Sequence, residues 1–442
     1  MMCFLYILHA FFPNDSLMYV LSLIALCVFL FSILKVGRIP RIIGLILVIA
    51  GVFINFSQGK GVVENLEGLI KNLPLLTLIL LVPLLAIPLK VSGYFASAHY
   101  YMTEWKHDSK KAFFGLSGLL ALISPVLNMG SVRMVHEMAN QLKFHPVILG
   151  KSYFIGFSTA MLWSPYYASI ALVLFYVNAQ VADYILVGLL FALVQLCVGN
   201  LLFRNWAKKQ AIENPVEAEV PIGRSDSTHK KNILKLGSIL MLLILSLLLL
   251  ENVTGLSMIL LVSLISLLFP PLWALVRRMW KEIYRESIQY TRSLSTNMNN
   301  EIVLFLSAGL FGTALTTTAF ADWLQYFLVG VSQVSLYYFV FVVIFTVFIL
   351  AFVGIHQIIV IPILAMQLSP EMIGTTPVVL ALIFIMAWAI SAVLSPLNAI
   401  NLLVSNIVKQ NGITVGFRWN GVYILSMIVV GTSIIYILEL FK

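Results

Sequence analysis

Long apolar runs separated by short polar or basic stretches dominate the chain. Runs near 17–35, 41–56, 73–93, 146–175 and 184–204, then 232–250, 254–276, 301–320, 375–408 and 415–438, approach or exceed the roughly 20 residues that a helix needs to cross the hydrocarbon core. The pattern predicts ten spans, five in each half. Two further apolar stretches, 112–144 and 337–368, lie between the third and fourth span of each half. Each is too long for one plain crossing and is interrupted near its centre by small or polar residues. Each is read as a re-entrant hairpin, because non-helical backbone at membrane depth survives only where protein buries it or where it lines a cavity.

Two spans break the apolar pattern in the same way. LWSPYYASIALVL (162–174) and VLSPLNAINLLVS (393–405) both set Ser-Pro and further polar residues inside an apolar segment. Proline lacks the amide donor and disrupts the preceding turn, so both segments, 146–175 and 375–408, are predicted to be helices broken near the middle. The separation of Pro146-Val147 from Ser164-Pro165 equals that of Pro377-Val378 from Ser395-Pro396, which reads as an internal duplication. Broken helices at corresponding positions of two halves point to the binding site of a secondary transporter.

Composition fixes the environment. With 61% hydrophobic residues, 10% charged residues and a mean hydropathy of +1.00, most of the chain belongs in lipid. The net charge of +9 is placed by the positive-inside rule and does not indicate a nucleic-acid partner. Lys35, Arg38 and Arg41, then Lys106, Lys110 and Lys111, then Lys143 and Lys151, the clusters 204–235 and 277–292, and finally Lys409 and Arg418 fall on one side, the cytoplasm. Lys60, Lys71 and Lys442 fall opposite. Treating 112–144 as a full crossing would separate Lys106 to Lys111 from Lys143, so charge favours the hairpin. Both termini then lie outside a cytoplasmic (inner) membrane, the first hairpin enters from the cytoplasm and the second from outside. The predicted fold is therefore all-α and polytopic, with two inverted repeats, 1–204 and 232–442, joined by a cytoplasmic linker at 205–231. The segment 278–298 is amphipathic and basic, as suits a helix on the inner membrane surface. MMCFLYILHAFF lacks a basic start and a cleavage site and is read as an interfacial lead-in that is retained. Cys3, Cys27 and Cys197 show no metal-ligand spacing or pairing.

Chemistry is concentrated at the breaks and the hairpin centres. Unwound backbone and half-helix ends can hold an ion without charged side chains, and the polar groups available are Ser164, Tyr166, Tyr167 and Ser169 in one break and Ser395, Asn398 and Asn401 in the other. The predicted tips, LNMGSV (127–132) and VGIHQI (353–358), align when Asn128 is matched to Gly354 and Gly130 to His356, with glycine supplying the reversal. Asn128, Ser131, His356 and Gln357 either contact a solute or satisfy the backbone of the tip itself. Arg133, His136 and Glu137 are ionisable residues inside the first hairpin, and such residues mark function by default. Arg133 is the candidate charge selector, unless it pairs with Glu137 one turn away. His136 or Glu137 is the candidate proton carrier. The string from His136 ends in Asn140 where a metalloprotease has its second histidine, so a zinc site is excluded. No Walker loop, dinucleotide fingerprint or nucleophile elbow occurs, and neither an enzyme activity nor an organic cofactor is expected. The aromatics Tyr94, Tyr100, Tyr101 and Trp105 are read as an interfacial belt.

Three passages resemble the ion transporter superfamily, which includes the divalent anion:sodium symporters. They are EIVLFLSAGLFGTALTTTAFADWL (301–324), VLSPLNAINLLVS (393–405) and ITVGFRWNGVYILSMIVVGTSIIYI (413–437). The order of five spans plus one hairpin per half is similar over nearly the whole chain. The resemblance implies an elevator transporter, in which hairpins and broken helices slide against a scaffold of the early spans. It places Asn128, Ser131, His356 and Gln357 as tip contacts and Ser164, Ser395 and Asn398 beside the ion or substrate. The Ser-Asn-Thr tips of the sodium-coupled dicarboxylate branch are absent, which separates this chain from that specificity. The expected function is transport of a small anionic solute coupled to Na+ or H+, with a homodimer as the assembly by analogy. The competing expectations are a membrane scaffold or accessory subunit of an envelope-building system, and an exporter of an amphiphilic or lipid-linked substrate.

Overall fold

The computed structural model describes residues 2–210 and 226–440. The first part runs α1 (Met2–Phe11), α2 (Asp15–Lys35), α3 (Arg38–Ser57), α4 (Val62–Ile70), α5 (Leu73–Leu81), α6 (Ala86–Val91), α7 (Tyr94–Trp105), α8 (Ser109–Leu127), α9 (Met129–Asn140), α10 (Pro146–Met161), α11 (Ala168–Tyr176) and α12 (Val181–Gln210). The second part runs α13 (Asp226–Thr254), α14 (Met258–Arg277), α15 (Trp280–Asn297), α16 (Asn299–Leu315), α17 (Ala319–Val334), α18 (Leu336–Phe352) and α19 (Gln357–Gln367). It ends with α20 (Pro370–Ile373), α21 (Pro377–Leu394), α22 (Ala399–Val408) and α23 (Gly421–Leu440). No strand occurs among the described residues. Nine helical stretches among them are long and apolar enough to cross a membrane, or ten if α15 and α16, bent by 59°, form one span. The protein is a polytopic helical membrane protein.

Several boundaries differ from the sequence expectation for identifiable reasons. The span expected at 73–93 belongs to a helical stretch that starts at Val62, and Pro83 converts its centre, Val82–Leu85, into a 3-10 turn. The span expected at 301–320 stops at Leu315, and Thr318 caps a separate helix, α17, by accepting from Ala321 N. The predicted linker 205–231 is helical at both described ends, in α12 and α13; residues 211–225 lie outside the described residues. The aromatics of α7 form a packed seam as well as a belt. Tyr94 is buried and its hydroxyl accepts from Arg277, Tyr100 stacks on His229, and Tyr101 stacks on Trp105.

In lipid there is little hydrophobic gain in bringing helices together, so association relies on close packing at small residues and on interhelical hydrogen bonds. The second span of each part packs on the third span of the other: α3 lies along α16, and α14 along α5. At Gly51 in α3 an added Cβ would sit 3.2 Å from the Phe311 Cα, so the backbones nearly touch there. Asn72 bridges the parts by donating to the Phe305 carbonyl at 3.2 Å and accepting from the Tyr176 hydroxyl. Around this frame α8 packs along α10 and α18 along α21. The partners then cross: α11 meets α19, α22 meets α9, and α10 meets α21. Every residue of α21 from Val379 to Leu394 is buried, whereas α2 and α3 expose Leu23, Phe31 and Phe53 as lipid-facing helices do. The broken helices thus occupy the interior.

The amphipathic α15 is fastened to the frame by the Tyr290 hydroxyl, which donates to the Leu80 carbonyl at 2.8 Å, and by an ion pair of 2.7 Å between Lys90 and Glu286. The Lys90 side chain is 59% exposed, so water competes for the pair. Lys90→Met is expected to change stability by less than about 1 kcal/mol in thermal unfolding of the solubilised protein. A larger loss would mean that α15 depends on this contact.

Candidate functional site

The two broken helices repeat a hydrogen-bond pattern. In the first, Ser164 N donates to the Ala160 carbonyl, Tyr167 N to the Ser164 carbonyl, and Ser164 Oγ accepts from Tyr166 N at 3.3 Å. In the second, Ser395 N donates to the Ser391 carbonyl, Asn398 N to the Ser395 carbonyl, and Ser395 Oγ accepts from Leu397 N at 3.3 Å. Each serine also reaches a preceding helix. Ser164 Oγ donates to the Pro125 carbonyl at 3.4 Å in α8, and Ser395 Oγ to the Ala351 carbonyl at 2.7 Å in α18. Both acceptors lie in the last turn before a residue of positive φ, Asn128 (φ 49) and Gly354 (φ 100). Proline interrupts each span, and the serine just before it gathers the freed amide and carbonyl groups.

The glycine expectation needs correction at the first tip. Gly130 lies inside α9, and the reversal falls on Asn128, whose φ of 49 and ψ of −134 belong to a region that glycine tolerates and asparagine adopts under strain. Ser131 is fully buried and serves the tip itself, donating to the Asn128 carbonyl at 2.5 Å and lying 2.7 Å from Ser124 Oγ. At the second tip His356 caps α19 by accepting from Ile358 N through Nδ1. Gln357, fully buried, donates to Ser391 Oγ at 2.8 Å and accepts from Asn398 Nδ2 at 3.0 Å. Asn398 also caps α22 through Ile400 N. Asn401 closes the break by donating to the carbonyls of Val393 (2.7 Å) and Gly412 (3.2 Å) while accepting from Ser405.

The first half is less complete. The Tyr167 hydroxyl, directed toward Ser124, and Ser169 Oγ are both buried without a well-formed hydrogen bond. α9 and α11 begin without a side-chain cap, although the Ser131 amide in the first turn of α9 bonds to the Asn128 carbonyl at 3.1 Å. Arg133 and Glu137 are exposed on α9 and form no ion pair with each other, which removes the pairing alternative; His136 is half-buried, with Nδ1 3.4 Å from the Tyr153 hydroxyl. Arg133 therefore does not join the buried cluster of Ser124, Ser131 and Ser164.

Ser124 and Ser391 belong to these networks, and only the first carried a sequence signal, the Ser124-Pro125 dipeptide ahead of the tip. Lys151 also sits differently from a flanking surface charge. It is half-buried in α10, with its ammonium bonded to the Trp419 carbonyl and 5.2 Å from the Trp206 ring centre. Among the described residues no group of three or more His, Cys, Asp and Glu side chains could hold a metal ion.

These features define a class: a polytopic helical membrane protein with two interior broken helices, each bonded to a neighbouring helix turn. Neither a family model nor a curated protein matches the chain.

Proposed function

We propose that the protein is a secondary transporter of the ion transporter superfamily, built from two inverted repeats and carrying a small anionic solute by an elevator movement coupled to Na+ or H+. The observation that carries this reading is the matched pair of breaks, with Ser164 bonded to Pro125 and Ser395 bonded to Ala351 at the same turn of the preceding helix. Element order supports the repeat: each part has two long helices, an amphipathic helix, a third span, a second amphipathic helix, a helix pair, a broken span and a final span. The reciprocal packing of α3 on α16 and α14 on α5 is what two-fold exchange produces.

The solute's negative groups go to the first half. There α9 and α11 present uncapped N-termini, which favour an anion in a site without water, and Tyr167 and Ser169 supply unused hydroxyls. Arg133, exposed on α9, attracts the anion to the entrance and leaves its selection to the buried groups. The mutual bonding of Gln357, Asn398 and Ser391 favours a supporting role for the second tip, and it is also the observation that favours the competing scaffold reading.

The test is thermal unfolding of the solubilised protein against a panel of organic and inorganic anions, in Na+ or K+ and at two pH values, since a ligand of the native state raises its apparent stability. At least one anion is expected to stabilise the protein in a sodium- or proton-dependent way. Tyr167→Phe and Ser169→Ala are each expected to weaken that anion by about 10- to 100-fold, the worth of a hydrogen bond to a charged group, without lowering the unliganded transition. Undiminished binding in both variants would move the site away from the first break. No stabilisation by any anion would favour the scaffold.

A further inference from the structure

We propose that the groove between α8 and α12, at the basic end of the molecule, is a binding site for an anionic phospholipid. The groove has a volume of about 640 Å³ and is lined by Trp105, Lys110, Lys111, Phe114, Leu201 and Arg204 among others. Its size is that of a site for an organic ligand, well beyond the needs of a bare ion. Lys110 and Lys111 stand in the first turn of α8 and Arg204 near the end of α12, so three cations face one opening from two helices. The single carboxylate there, Asp108, accepts from Lys110 N and Lys111 N at 2.8 and 3.3 Å and is directed at the start of α8.

One turn deeper along each helix the chemistry changes to Phe114, 64% exposed, and Leu201, 56% exposed. A phosphate among the cations with acyl chain along this wall uses both parts of the groove, whereas a soluble phosphate uses only one. Basic recesses between membrane helices at headgroup level are recognised by anionic lipids on these grounds. On the orientation proposed above, the opening faces the cytoplasmic leaflet.

The other half supplies a comparison, which rests on the repeat reading. The corresponding groove, between α18 and α23, has a volume of about 240 Å³, and no cation lines it. Tyr337 stacks on Tyr436 across it, and Glu439 bonds to Thr375. The same helix pair therefore carries opposite chemistry in the two halves, and the packing alone does not produce a basic, lipid-sized recess.

The experiment is native mass spectrometry of the full chain released from bilayer discs of phosphatidylglycerol and phosphatidylcholine in equal amounts. The expected result is retention of phosphatidylglycerol in preference to phosphatidylcholine, unchanged by excess glycerol phosphate. The triple variant K110Q/K111Q/R204Q is expected to lose retention by on the order of 100-fold. The charge-preserving K110R/K111R/R204K keeps it, which separates loss of charge from loss of fold. Equal retention of both lipids, or retention unaffected by the glutamine variant, would overturn the proposal. Displacement by glycerol phosphate would reassign the groove to a soluble anion and overturn it equally. Because the readout is bound lipid, it stays interpretable whether or not the protein transports an anion.

Discussion

Replacing Asn401 with leucine is expected to lower stability by about 2–4 kcal/mol, the sum of one buried and one half-buried carbonyl left without donors and a disturbed hydroxyl partner. Helix α21 ends at Leu394, so the Val393 carbonyl is among the last four that have no acceptor role inside the helix. Val393, Leu394 and Ser395 are buried, so no water replaces the missing partner of the Val393 carbonyl. Asn401 supplies it, and the same amide reaches the Gly412 carbonyl on the far side of α22. Leucine keeps the branching of the asparagine side chain and leaves no cavity, so the loss reports the missing polar interactions together with the crowding of its bulkier methyl groups. Asn401→Asp is the sharper control, because it keeps the shape and the acceptor for Ser405 but brings anionic oxygens against two carbonyls. It should be at least as damaging. Glutamine offers no rescue, since a Cβ at Gly416 would already lie 2.9 Å from Asn401 Nδ2 and the space beyond is filled. Thermal unfolding followed by tryptophan fluorescence checks all three. Variants that unfold within about 1 kcal/mol of the parent would show that the break is held by something else.

The first half meets the same need by different means, and this limits what the sequence could disclose. The matched carbonyl, Leu162, accepts from the Tyr184 hydroxyl of α12 at 2.7 Å. The position corresponding to Asn401 is Ile170, which is apolar and buried. The breaks themselves were legible, because proline acts locally and Ser-Pro inside an apolar run has few other uses. Which side chain would service a freed carbonyl was legible only where the donor was near in sequence, as with Asn401. Tyr184 lies in the next helix, and nothing in its surroundings distinguishes it from a tyrosine at a membrane interface. Arg133 was singled out because an intramembrane charge is rare, but its exposure depends on which face of α9 packs inward, and Val132, Val135 and Ala139 take that face. The expected span runs on to residue 320, into the first turn of α17, because that turn, Ala319-Phe320-Ala321, is as apolar as the span. The cap by Thr318 that separates them depends on the hydroxyl's direction. Gly130 attracted the reversal by its type, while the chain reverses at Asn128 because α8 remains helical as far as Leu127.

Gly156→Ala is expected to lower stability by about 2–3 kcal/mol even though alanine is the better helix former by about 1 kcal/mol. Gly156 lies in the middle of α10, where that helix crosses α8. A Cβ built there would fall 2.5 Å from the Ser117 carbonyl oxygen and 2.6 Å from the Leu120 Cβ. The first obstacle is backbone, so no side-chain rotation relieves it, and α8 must move as a body. That movement carries Ser124, Pro125 and Asn128 with it, and hence the contact from Ser164. The ligand-induced stabilisation expected above should therefore fall together with the unfolding temperature. Gly118, less than a turn from Leu120 on α8, supplies the opposite case, since nothing lies within 4 Å of its added Cβ. Gly118→Ala should raise stability by about 0.5–1 kcal/mol through chain entropy and propensity alone. Two substitutions of identical chemistry on packed neighbouring helices are thus expected to differ in sign. Thermal unfolding of the pair decides the matter, and a gain at Gly156 would mean that α8 and α10 are not held at the separation that the break requires.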